Sequence, residues 1–347
     1  MQKKLFAFLS ILCACAVLCG CGAAVKSESV ALAQELELCA TNTSCLTGLA
    51  FKNGEGKNLR PMAIAVDNVR AALPQRGLSG AQIVYEALQS GGVTRLLAVY
   101  DDYSLLPETG PVTQMSGQFM RLALPLDSLC LSTDITTSAD ALVTEYARGN
   151  MYINGSFETS ALALDSDRNA ATDISRCWFT NGALLSMAAE QYELEPLSDE
   201  NTRKMAFNFV KKGERLLDED ARRVKIRFSG YTNTVLEYSP IRKKYYKSQF
   251  DAFQLDENTN GALSFDNVLV LFGDIISSDD ETAFDFAAGG DGYYFYGGKY
   301  EPVTWSKNSD DAPLLFQNKD GAALINKGTT YVALVDKTKQ EHFKISA

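Results

Sequence analysis

Met62-Ala63-Ile64-Ala65-Val66-Asp67-Asn68 reads as a buried strand that stops at two polar residues. Its apolar positions run without alternation, the pattern of a strand covered on both faces rather than one. Downstream, residues 83–88 and 93–100 are strand-like runs on either side of Ser90-Gly91-Gly92, a hairpin signal. Pro74 and Gly77 mark a loop before that hairpin, and Pro107 and Gly110-Pro111 break the chain after it. Helical patterns follow at residues 113–124, at 139–148 behind Ser138 as N-cap, and at 182–192 behind Asn181. Strands mixed with helices predict a mixed α/β domain over residues 58–197.

After a polar stretch the texture changes. Residues 198–221 read as a linker. Beyond it, short strand-like runs recur at 224–228, 235–238, 244–246, 268–272, 293–296, 314–317, 322–325 and 331–335. Gly261, Gly289-Gly290, Gly297-Gly298, Gly321 and Gly328 punctuate them. Short strands separated by Gly turns predict a β-rich second domain over residues 222–347. The whole chain is therefore expected to be α+β, a mixed domain followed by a β-rich one.

The N-terminus carries an address. Lys3 and Lys4 precede an apolar run from Leu5 to about Val17. The run falls short of the roughly 20 residues that span a bilayer and has the length of a signal-peptide h-region. It ends Leu18-Cys19-Gly20-Cys21, an order that resembles the lipobox of bacterial lipoproteins. Residues 1–20 are thus expected to be removed, with Cys21 bearing acyl lipid such as palmitate and residues 21–57 serving as a tether. A rival register at Cys15 leaves an h-region of only about seven residues, at the lower limit. Within the tether, residues 30–38 form a short helical pattern.

With 33 Lys+Arg against 43 Asp+Glu, the formal charge is -10. An acidic body argues against nucleic-acid binding, which needs a positive surface to displace counterions from phosphates. Of eight cysteines, three leave with the signal peptide and Cys21 is the anchor. Cys39 and Cys45 are spaced to close a small loop as a disulfide or to remain free thiols; spacing does not show whether the sulfurs meet. Cys130, in an apolar run, reads as a small core residue.

Little of the polar sequence resembles a catalytic or metal-binding motif. The single histidine, His342, stands near the end of the chain, where it reads as solvated, and one histidine does not make a His-based metal site. Two stretches imitate a calcium loop, Asp256-x-Asn258-x-Asn260-Gly261 and Asp165-x-Asp167-x-Asn169. Each lacks the final bidentate acid, with Asn267 and Arg176 in its place, and both read as polar turns. No metal and no cofactor are expected. The basic run at residues 242–247, Arg-Lys-Lys-Tyr-Tyr-Lys, reads as one solvated strand face with Tyr245 or Tyr246 turned inward, or as an attraction for anionic lipid heads or wall polymers.

The best candidate site is Asp67, Asn68, Glu86, Thr94 and Arg95, because strand ends host ligand sites in α/β sheets. An even number of loop residues in the hairpin puts Glu86 and Arg95 on one face, as a structural ion pair or a ligand site; an odd number sends them to opposite faces.

Several of these segments resemble the YerB-like lipoproteins, a bacterial family catalogued as a domain of unknown function. The resemblance rests on Arg60-Pro61-Met62-Ala63-Ile64-Ala65-Val66-Asp67-Asn68, Ile83-Val84-Tyr85-Glu86, Gly91-Gly92-Val93-Thr94-Arg95 and Gly110-Pro111-Val112. In the second half it rests on Asn267-Val268-Leu269-Val270, Thr304-Trp305-Ser306-Lys307 and Gly328-Thr329-Thr330-Tyr331-Val332. Three places depart from the family's usual residues. Thr113-Gln114 replace Arg-Ser, Leu131-Ser132-Thr133-Asp134 occupy the region of His-Ala-Gly-Gly-Ser, and Ser175-Arg176-Cys177 replace Pro-His-Asn. The resemblance implies fold and address, but no reaction.

These readings lead to a lipid-anchored, non-catalytic binding or scaffolding protein on the outer face of the cytoplasmic membrane. Its expected partners are the membrane, through the lipid, and an envelope protein or wall polymer. The alternative is a metal-independent envelope hydrolase with Asp67 or Glu86 as acid or base. A recess with closely spaced carboxylates favours the enzyme, and a shallow groove between the halves favours binding.

Overall fold

A computed structural model describes residues 35–40, 42–51, 59–146, 152–154, 161–169, 173–195, 197, 203–278 and 281–347. Cys21 and the whole signal segment lie outside these residues. From Glu35 onward the chain forms one compact unit.

The apolar run that opens the first half is β1 (Met62–Asp67), buried at every position. The hairpin follows as β2 (Ile83–Leu88) and β3 (Thr94–Tyr100). Then come α1 (Gly117–Ala123), β4 (Leu129–Ser132), α2 (Thr137–Glu145), β5 (Tyr152–Asn154) and α3 (Gly182–Gln191). Asn181 caps α3 as expected, its Oδ1 accepting the Leu184 N–H at 3.0 Å. The α2 helix is capped two residues before Ser138, by Thr136, whose side chain accepts the Ala139 N–H. Residues 113–116 are not helical. They are extended between the ends of β1 and β4, with Thr113 N–H donating to Ala65 and Thr133 N–H to Thr113. The open backbone groups of the two strand ends select that strand-like course.

The second half supplies β6 (Arg223–Arg227), β7 (Asn233–Ser239), β8 (Lys244–Gln249), β9 (Asn267–Gly273), β10 (Gly290–Tyr296), β11 (Lys299–Ser306), β12 (Leu315–Asn318), β13 (Thr330–Asp336) and β14 (Lys344–Ser346). The halves do not stand apart. A twelve-stranded sheet runs through β12, β11, β10, β9, β13, β2, β3, β1, β4 and β5. Within it β13 is parallel to both β2 and β9, so a C-terminal strand joins the halves at mid-sheet. β1 is parallel to β4, and β4 to β5. A smaller six-stranded sheet carries β8, β7, β6 and β14.

The large sheet is covered on both faces, which explains its unalternated apolar strands. One face packs Ala63, Ala65, Leu97 and Leu269 against Phe119 and Met120 of α1, Leu142 of α2, and Phe207 and Phe209. The other packs Ile64, Val66, Ala98 and Val268 against Val224, Ile226, Leu236 and Tyr245 of the small sheet and Leu185 of α3.

Two expectations change here. The described part of the linker, residues 203–221, is built into the body: Phe207, Phe209, Leu217 and Ala221 are buried. Its polar residues concealed apolar ones spaced to reach the core. The described part of the tether also packs on the body, with Leu36 and Leu46 buried. Residues 35–38 of the expected helix are extended, Leu38 bridging to Lys204. Cys39 and Cys45 are joined as a disulfide, with Cα atoms 5.6 Å apart.

Candidate functional site

The hairpin register decides what the candidate residues can do together. Ser90–Gly92 forms a three-residue turn, closed by Gln89 N–H donating to Val93. Gly91 and Gly92 both take positive φ, 79° and 76°, a conformation glycine adopts without a Cβ penalty. The odd loop sets Glu86 opposite Leu96 and Arg95 opposite Ala87. Successive side chains point to opposite faces, so Glu86 and Arg95 are separated by the sheet. The single five-residue cluster is two sites.

Asn68, Glu86 and Thr94 meet on the face toward the small sheet. Asn68 Nδ2 donates to Glu86 Oε1 at 3.1 Å and to Thr94 Oγ1 at 2.8 Å. Thr94 passes its own proton to Glu86 Oε1, also at 2.8 Å. The other carboxylate oxygen accepts from Tyr331 at 2.7 Å and from Thr234 at 3.2 Å. It also lies 3.0 Å from Lys247 Nζ, with neither side chain exposed. Lys247 spends its remaining donors on Gln249 and Gln254, and Gln254 donates on to Asn68 and Gln75. Burial pulls the Lys247 amine below its usual range, opposed by the Glu86 charge. Burial and Glu86 together push the Tyr331 hydroxyl well upward.

This network corrects the reading of the basic run. Lys247 is not on a solvated face: it shares the inward face of β8 with Tyr245, while Lys244 pairs with Asp266 at 2.8 Å. A satisfied buried network of this kind fixes how two elements dock. It also seals Glu86 from substrate.

Asp67 and Arg95 lie opposite one another on the other face, at the C-terminal end of β1. Burial lowers the Arg95 pKa, with Asp67 and Glu281 acting in the opposite direction. Arg95 closes no ion pair among the described residues. Its hydrogen bonds run from Nη1 to Gln114, at 3.4 Å to the backbone oxygen and 3.3 Å to Oε1. Gln114 donates in turn to Asp134 at 3.3 Å. Asp67 pairs with Arg176 at 3.2 Å and accepts the Val69 N–H. Glu281 is buried at the N-terminus of α2, where Thr136 and Ser138 donate to its Oε2. Gln114, Arg176 and Glu281 were not among the sequence candidates, and neither was Lys247.

The calcium-like loops are occupied by protein donors. The Asp256 carboxylate is fully buried and accepts from the backbone of Gly77, Ser79 and Asn258 and from the Ser79 hydroxyl. Asp165 pairs with Arg76 at 2.8 Å and accepts the Arg168 N–H. His342 is half-exposed beside Glu341. Cys130 is buried, its thiol pushed up to about 12.

Comparison with known proteins places these features in a family. Residues 46–195 match the model described as "Protein of unknown function (DUF3048) N-terminal domain", and residues 224–332 match its C-terminal counterpart. The putative lipoprotein YerB of Bacillus subtilis (strain 168) is 28% identical over 297 residues, 84% of this chain and 85% of that protein. The crystal structure of the Bacillus subtilis YerB protein superposes with a TM-score of 0.74 at 22% identity, covering 88% of this chain and 99% of that one. The three departures from the family's usual residues converge in space. Gln114 accepts from Arg95 and donates to Asp134, and Arg176 pairs with Asp67, opposite Arg95 on β1.

Proposed function

Because this chain belongs to the DUF3048 family, with YerB among its relatives, we propose that it is a lipid-anchored extracytoplasmic binding module that takes its ligand at Arg95. An extracytoplasmic lipoprotein is what kinship to YerB supports. The Leu18–Cys21 order supplies the acylation motif, and lipid on Cys21 would tether the body at the outer face of the cytoplasmic membrane.

The observation that carries the binding reading is the state of Arg95. Its guanidinium is partly buried at the start of β3, opposite the C-terminal end of β1, and among the described residues it is held by two long hydrogen bonds, with Asp67 and Glu281 nearby. A desolvated guanidinium recognises a carboxylate or phosphate group through paired N–H donors. A hydrolase, by contrast, needs a carboxylate that reaches substrate. Glu86 is sealed between sheets, and Asp67 is engaged by Arg176 and Val69.

A melting-temperature panel of small carboxylates, phosphates and zwitterions tests the assignment. At least one should raise the melting temperature of the wild-type chain and leave that of Arg95→Ala unmoved. If every compound acts equally on both proteins, Arg95 is structural.

A further inference from the structure

The small sheet has one face in the core and one in water. Along β6, Val224 and Ile226 turn inward while Arg223 and Lys225 are exposed. The outer face forms the floor of a groove of about 520 Å³. Its lining comes from both halves of the chain: Arg70 precedes the hairpin, whereas Arg223, Lys225, Tyr231, Phe250 and Phe253 follow the large sheet's first strands.

Three features mark this groove. The first is charge. Arg223 is neutralised by Glu237 at 3.0 Å, but Arg70 and Lys225 close no ion pair among the described residues. Lys344 of β14 lies directly opposite Lys225, and both are exposed. Like charges facing each other across a sheet destabilise it. Such an arrangement is conspicuous in a chain of formal charge -10, and Asp251 is the remaining acid of the lining.

The second feature is the turn that carries Phe250. Phe250 and Asp251 both take left-handed φ, 54° and 64°, between β8 and the edge strand Ala252–Phe253. Gln249 pairs with Ala252 across it, so these are the two central residues of a hairpin turn, which requires left-handed φ at both. The turn brings the Phe250 ring under Arg70, whose guanidinium carbon sits 4.7 Å from the ring centroid. The cation is thereby held in place without being neutralised.

The third feature is apolar. Tyr231 and Phe253 line the same groove at 77% and 55% exposure, offering ring faces to a partner.

We propose that this groove binds a linear polyanion of phosphate-linked, hydroxylated units. Arg70 and Lys225 in the lining, and Lys344 on the strand beside it, meet the phosphates, and Tyr231 and Phe253 pack against the carbon skeleton of the units. A recess with cations in its lining suits a chain lying along it, whereas a flat bilayer surface meets only the rim. This surface lies on the small sheet and is independent of Arg95, so the two assignments stand or fall separately.

The test is calorimetric titration of the full-length chain in detergent with poly(glycerol phosphate) oligomers. Binding should be saturable and weaken as salt rises, and Lys225→Glu should reduce affinity by about tenfold or more, as for removal of a phosphate contact. Lys344→Glu should weaken binding in the same direction without lowering the melting temperature, because it replaces a Lys–Lys contact with a Lys–Glu one. Arg95→Ala should bind as wild type does. Absence of binding, or equal binding by wild type, Lys225→Glu and Lys344→Glu, overturns the proposal. So does equally tight binding of monomeric short-chain phosphatidylglycerol, which would make this a headgroup site.

Discussion

Lys247 Nζ and Glu86 Oε2 lie 3.0 Å apart with both side chains wholly buried, one from the last long strand of the small sheet and one from the large sheet's hairpin. The pair joins the two family-defined halves. Removing one partner leaves the other charge without compensation in the interior, at a cost of roughly 3–5 kcal/mol. Glu86→Gln and Lys247→Met should each lower the free energy of unfolding by that amount, read as a shift of the denaturant midpoint at unchanged m-value. The double variant should lose less than the sum of the two, since it strands no charge.

The register that separates Glu86 from Arg95 was not legible in the sequence. Ser90-Gly91-Gly92 announces a turn, but two glycines accommodate loops of either parity, and parity alone decides which face each residue takes. The strands themselves were legible, because burial on both faces leaves unbroken apolar runs such as residues 62–66 and 268–272. The joining of the halves was not, since pairing of β13 with β2 is a contact between distant segments. Lys247 was hidden for a similar reason. Composition counts it as one of a basic run, and only the partner across the core shows that it is buried. Asp67, Asn68, Glu86, Thr94 and Arg95 were all found by their place at strand ends, and the structure divides them between two faces.

Asp101 gives a pH signature. Burial raises its carboxyl to about 6, against the Ser44 hydrogen bond and the Arg203 charge, which lower it. A carboxyl raised in the fold contributes stability below its unfolded value of 3.8, and loses it as pH rises through about 6. Asp101→Asn does not ionise. The stability of Asp101→Asn relative to wild type should therefore grow by about 2 kcal/mol between pH 4 and pH 7, at 1.36 kcal/mol per unit. Thermal unfolding at a series of pH values measures it, and a constant difference would show that Asp101 is not perturbed.

The Cys39–Cys45 bond closes a short loop against the body. Chain-entropy arguments assign such a loop roughly 2 kcal/mol. Replacing both cysteines by serine should cost about that much in urea unfolding, with the m-value unchanged. Mass spectrometry of an unreduced digest should find the single peptide that carries both cysteines lighter, by the two hydrogens lost on oxidation, than the same peptide after reduction.

Lipid attachment is tested at Cys21. Metabolic labelling with a fatty acid should mark the wild-type chain and leave Cys21→Ser unlabelled, as an unprocessed precursor or in the soluble fraction. Persistent label on the variant would move the anchor elsewhere.

The most direct measurement pairs one variant from each face, Arg95→Ala and Lys247→Met, with crosslinking of intact cells and a stability readout on the same proteins. Among the described residues Arg95 makes only long hydrogen bonds, so Arg95→Ala should change stability by under about 1 kcal/mol and lose the crosslinked neighbours of the wild-type chain. Lys247→Met should lose stability and, per folded molecule, keep those neighbours. If Arg95→Ala keeps every neighbour while Lys247→Met loses them without unfolding, the ligand site lies in the buried network and the present assignment is wrong.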